Sequence, residues 1–96
     1  MSKNSGQHVI RVDFEAHTII GDVFSRNDLP RVLVLHGAGN SNRGRFQMLR
    51  RQLYDRRISS AAFDFVGHGD TGGDLKTSSL RSRTRQACRV VDALNF

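Results

Sequence analysis

Apolar and polar residues partly alternate in H-V-I-R-V-D-F at 8–14, a stretch rich in β-branched side chains, which predicts a strand. T-I-I-G-D-V-F at 18–24 predicts a second, with Gly21 a candidate bulge and Glu15, Ala16 and His17 forming the turn between them. Asn27, Asp28, Leu29 and Pro30 are turn chemistry and close this section. R-V-L-V-L at 31–35 differs in kind. Its run of aliphatics predicts a strand covered on both faces, as in a parallel sheet flanked by helices. A loop of small residues at 36–42 follows, then a predicted helix over 43–57 with Ser41 or Asn42 as its cap. In that helix Phe46, Leu49 and Leu53 fall at i, i+3 and i+7, while Arg50, Arg51, Arg56 and Arg57 are assigned to other faces. I-S-S-A-A-F-D-F at 58–65 predicts another buried strand, leading into a loop that holds Gly67, Gly69, Gly72 and Gly73. The last predicted helix spans 78–95, capped by Ser78, with Leu80, Thr84, Ala87, Val91 and Leu94 as its buried stripe. Residues 1–7 are polar and are expected to be a disordered start; 8–96 is expected to be one domain. Two strands followed by strand, helix, strand, helix define an α/β fold with right-handed crossovers.

Composition narrows the classes. With 96 residues the chain fits one small domain, and 38% apolar content is ordinary for a globular protein. Burying roughly two-thirds of the unfolded surface gives a modest core. The single Cys88 excludes an internal disulfide framework, and no apolar run approaches the roughly 18 residues of a membrane span. A cytoplasmic protein is expected. The net charge of +6 is concentrated: residues 31–60 hold seven arginines against Asp55 alone, and the flanking segments nearly balance. Such a segment invites an anion or nucleic-acid partner, but no stacking aromatics interleave the arginines, so a solvated helix face is the expectation.

In an open α/β sheet, ligands meet the loops at the carboxyl ends of the strands, here 36–42 and 66–74. A dinucleotide fingerprint would need G-x-G-x-x-G; Gly37, Ala38, Gly39, Asn40, Ser41 and Asn42 put Asn at the third glycine, with Asp64 in loose position for a ribose. A phosphate loop fails at its two chemical positions, because Arg45 stands for the lysine and Phe46 for the magnesium-binding hydroxyl.

V-L-V-L-H-G-A-G at 32–39 followed by F-D-F-V-G-H-G-D-T-G-G at 63–73 resembles the N-terminal part of the α/β-hydrolase family. In that family an aliphatic third strand ends in His-Gly and the fourth ends in a D-x-x-G-H-G-x-S-like loop. The two motifs stand in the right order with a helix between, the resemblance spans about residues 8–95, and Thr71 replaces the commoner serine. It implies the fold class: the N-terminal part of an α/β-hydrolase sheet. It also implies that the loop after the third strand gives one backbone N–H of an oxyanion hole, by position Ala38, with Gly39 beside it. Removing such a donor costs on the order of 3–4 kcal/mol of transition-state stabilisation. His36, Gly37, Asp64, Gly67, His68 and Gly69 are expected to support the loops. His8 and His17 are expected at the surface, and Cys88 as a packed thiol. Neither a cofactor nor a metal site is expected, and the implied partner is a small acyl substrate of the parent enzyme.

The G-x-S-x-G nucleophile elbow is absent from these residues; Gly39 to Gly44 is one residue too long and follows the wrong strand. The acid and histidine of the triad, which come later in the family, are absent too. The chain is therefore expected to be an N-terminal segment, truncated before the elbow: a truncated gene product, a fragment, or one piece of a split protein. Its function is expected to be part of a serine hydrolase acting on ester, amide or similar acyl bonds, inactive alone. In the family's strand order, 1-2-4-3-5, segment 31–35 would lack its neighbour, so self-association through this exposed strand is expected. Two alternatives stand beside this: a nucleotide-binding module using Gly37 to Ser41 with Asp64, and a basic anion- or nucleic-acid-binding domain on the helix at 43–57.

Overall fold

The computed structural model describes residues 6–26, 29–37, 39, 41–75 and 78–95. Four strands form one mixed sheet: β1 (Gln7–Phe14), β2 (His17–Phe24), β3 (Val32–Leu35) and β4 (Ser60–Phe63), in the spatial order β1-β2-β4-β3. β1 and β2 are antiparallel, as are β2 and β4; β3 and β4 run parallel. This is the order the hydrolase resemblance implies. A single turn of 3-10 helix (Arg43–Phe46) leads into α1 (Gln47–Asp55), and α2 (Leu80–Leu94) closes the described chain.

The hairpin between β1 and β2 is tight because Glu15 takes a positive φ of 54° and pairs Phe14 with His17. Of the stretch expected to be a disordered start, Gly6 and Gln7 are held: the Gly6 carbonyl accepts from Ser25 N at 2.6 Å, and Gln7 pairs with Phe24. Residues 1–5 lie outside the described residues. Gly21 is not a bulge. It keeps regular register with both Ile10 and Phe63, and a Cβ there would run into the Ala62 carbonyl, so glycine is needed for the close approach of β4.

Strand alternation puts the helices on opposite faces. Val12, Phe14, Ile19, Phe63, Phe65, Val66 and Val90 form the apolar core under α2. On the other face, α1 sits over Asp22 and Ser60.

Five sequence expectations are corrected here. β3 is not covered on both faces: its residues are half-buried and Leu35 is 44% exposed, because β3 is an edge strand. Arg50 is not on a solvated face but fully buried. The predicted buried stripe of α2 holds only in part: Ala87 and Leu94 pack against the core and Val91 is half-buried, but the fully buried positions are Gln86 and Val90, while Leu80 is 81% exposed and Thr84 is exposed. Cys88 is exposed rather than packed, since it lies on that same outward side. The caps are Asn42, which accepts from Gly44 N at 2.9 Å, and Ser79 rather than Ser78, which accepts from Ser82 N at 3.0 Å.

Candidate functional site

Parallel pairing of β3 with β4 brings their carboxyl ends to one rim of the sheet, with Leu35 opposite Phe63. The next residues, His36 and Asp64, therefore emerge side by side, and both are buried. His36 ties the two loops together: its Nε2 accepts from Phe65 N at 3.1 Å, which leaves Nδ1 protonated to donate to the Gly37 carbonyl at 2.6 Å. Burial pushes the His36 pKa below the ordinary histidine value, aided by His68 and Arg83 and opposed by the Gly37 hydrogen bond and Asp64. A neutral ring is what this pair of hydrogen bonds requires.

The first loop is fastened at both ends. On the β3 side, Arg83 stacks over Phe65, 3.8 Å from the ring centroid, and donates from Nη2 to the His36 carbonyl at 2.7 Å. On the far side, Arg43 N donates to Asp64 Oδ1 at 2.7 Å, and its guanidinium pairs with Asp64, with Asp70 at 3.2 Å and with Asp22 at 3.4 Å. Burial works against the Arg43 charge, but Asp64, Asp22 and Asp70 together outweigh it and raise its pKa.

The second loop is built around Asp64. Asp64 Oδ2 also accepts from Asp70 N at 2.9 Å, and Gly69 passes so close that a Cβ would strike the carboxylate. Thr71 Oγ1 accepts from Ile20 N at 2.9 Å, so the hydroxyl that replaces serine ties the loop to β2. Gln86 Oε1 accepts from Val66 N at 2.8 Å. His68 is buried against His36, with 4.7 Å between ring centroids, and its Nε2 has no hydrogen-bond partner among the described residues. Gly67, at φ 87°, begins the turn and donates to the Gly72 carbonyl at 3.0 Å. His8 is exposed and His17 half-buried, both far along the chain from these loops.

Ala38 lies outside the described residues. Its neighbour Gly37 has neither a positive φ nor any atom of the described residues within 4 Å of where a Cβ would stand. Packing against the described residues thus gives no reason for glycine there. Gly39 has φ 80°, a conformation that favours glycine.

Arg43, Arg50, Gln86 and Arg83 were not singled out as site support by sequence. Arg50 carried a signal: with Phe46, Leu49 and Leu53 it completes the i, i+3, i+4, i+7 set of a buried face. The others act through contacts more than 20 residues away in sequence, or on loop backbone, and left no local pattern. Among the described residues, no group of three or more His, Cys, Asp or Glu is placed to hold a metal ion. No helix among them is long and apolar enough to cross a membrane.

The geometry has counterparts among solved structures. A thioesterase domain from the curacin biosynthetic pathway superposes with a TM-score of 0.81 at 21% identity, over 92% of this chain and 32% of that one. A putative hydrolase from Agrobacterium vitis S4 gives 0.68 at 20%, over 91% and 35%. A haloalkane dehalogenase variant from Bradyrhizobium elkanii gives 0.67 at 19%, over 94% and 29%. No protein-family model and no curated protein sequence matches the chain. The chain has the fold of the N-terminal part of an α/β-hydrolase, and it spans about a third of the length of these structures.

Proposed function

We propose that this chain is the N-terminal segment of a serine hydrolase that cleaves ester, amide or similar acyl bonds, and that its 36–42 loop supplies half of the oxyanion hole through the backbone N–H of Ala38, with Gly39 beside it. The observation that carries this is the fastening of the loop around an unexplained Gly37. The His36 ring draws the Gly37 carbonyl inward, which fixes the loop at its first residue. Loop support by His36, Gly37, Asp64, Gly67, His68 and Gly69 belongs to the same proposal, as does a cytoplasmic location, which suits a free Cys88.

The nucleotide-binding alternative loses its carrier, and the basic-face alternative loses two of its seven arginines. Asp64 is buried and committed to Arg43 and the Asp70 amide, so it is not free to take a ribose. Two of the arginines at 31–60, Arg43 and Arg50, are spent on Asp22, Asp64 and Asp70 rather than offered to an anion.

The test has two arms. The chain alone should neither turn over p-nitrophenyl esters nor react with a fluorophosphonate; turnover lost on replacing a serine of this chain would overturn the reading. In the hydrolase assembled with an elbow-bearing segment, Gly37→Val should lower kcat by about 100-fold or more with KM little changed. An unchanged kcat would remove the oxyanion role.

A further inference from the structure

β1 is the outermost of the four strands, at the end of the sheet opposite β3. The strand order 1-2-4-3-5 adds its next strand beside β3 and not beside β1. The register of β1 with β2 is regular over eight residues, with no bulge and no proline, which leaves a straight edge. The two-residue turn makes Phe14 and His17 a hydrogen-bonded pair. Val12, Ile10 and His8 therefore also bond toward β2, and the N–H and C=O groups of Val9, Arg11 and Asp13 point outward. Ile20, opposite Arg11, obeys this alternation: its backbone turns away from β1, accepting from Asp64 N and donating to Thr71 Oγ1, both at 2.9 Å. The Arg11 and Asp13 side chains are exposed on the face opposite the Val12 and Phe14 core. Neither forms an ion pair among the described residues, and their neighbours on β2, Ile20 and Thr18, are uncharged.

We infer that a second copy of this chain pairs here, β1 against β1, antiparallel about a two-fold axis, so that two four-stranded sheets become one continuous sheet. Outward-pointing groups must oppose outward-pointing groups, which restricts the register to steps of two residues. Arg11 opposite itself, or Asp13 opposite itself, sets like charges together. The register between those two sets each Arg11 against the other copy's Asp13, with Val12 against Val12 and Ile10 against Phe14 on the core face. Charges that guard this edge against arbitrary strands are thereby matched by the same edge of a second copy. The inference does not depend on the hydrolase reading.

Sedimentation velocity across a wide concentration range tests it. The expected result is a reversible rise from 10.8 kDa to about twice that mass. Arg11→Asp and Asp13→Arg, both at exposed positions, should each weaken the dimer about tenfold, since each sets like charges opposite one another twice. Mixed in equal amounts, the two variants should associate about as tightly as the parent chain, because one copy then brings only acids to the pair and the other only arginines. Circular dichroism checks that each variant is folded. If either is not, Arg11→Pro carries the test: it removes an N–H that β2 does not use, and should abolish the dimer. A constant mass of one chain would overturn the inference. So would a dimer insensitive to these variants, or one lost on Leu35→Lys, which would place the contact at β3.

Discussion

The two faces of the sheet are held by different physics. Under α2 the contact is hydrocarbon: Ile19, Phe63, Phe65 and Val90 are buried together, with Phe63 and Phe65 rings 4.7 Å apart. Under α1 it is a charge. The fully buried Arg50 donates from Nε to Ser60 Oγ at 3.0 Å and from Nη2 to the Asp22 and Ser60 carbonyls at 3.1 and 3.3 Å, and its Nη1 pairs with the Asp22 carboxylate. Apolar contact is forgiving in direction, so it can hold a helix against a sheet but not aim a loop. Hydrogen-bonded ion pairs are directional, and the one at Arg50 leads through Asp22 and Arg43 to Asp64, at the root of both rim loops. Directional bonding therefore stands where position matters, although burying these charges carries a desolvation cost.

The sharpest way to break this contrast is Arg50→Ala. It leaves Asp22 buried without its partner and should cost about 3–5 kcal/mol, a large share of the stability of a domain this size, with a melting temperature lower by more than about 12 °C. Calorimetry should then show that the pair Asp22→Leu with Arg50→Met recovers most of the loss, since well-packed apolar residues can replace a buried ion pair. If the single and double variants melt alike, the α1 face is not held by this charge. Ile19→Ala, on the other face, should cost about 3 kcal/mol in denaturant titration, as transfer and cavity terms, and no change at Asp22 should rescue it.

A smaller effect is the pH dependence at His36. Its folded pKa is depressed, so the unfolded chain binds the extra proton first; stability is fully present above the ordinary value of 6.5 and falls as pH drops from there toward the lower folded value. His36→Gln should flatten that part of the stability curve, measured by urea unfolding between mildly alkaline and mildly acidic pH. A curve unchanged by the substitution would dissociate the imidazole from the loop's stability.

Much of this molecule was legible in the order of its residues. Strand and helix periods placed every element within a few residues, because period-2 and period-3.6 patterns report which side of an element meets the core. The two glycine loops after aliphatic strands marked the rim, and the motifs at 32–39 and 63–73 pointed to the hydrolase fold that the solved structures share. What failed to show was the fate of charge. The arginine excess at 31–60 reads as a solvated helix face. In the fold two of those arginines meet Asp22, Asp64 and Asp70 from other segments.

Local pattern thus determined the elements and where the two rim loops fall, since backbone geometry and neighbouring side chains suffice for those. Tertiary structure alone decided which faces were covered and which charges were paired. Leu35 and Leu80 look like core residues along the chain and are exposed because β3 is an edge and Leu80 starts α2 on its outward side; Arg50 looks like a surface residue and is buried. Burial and ion pairing depend on what arrives from distant sequence, and no window of neighbouring residues carries that information.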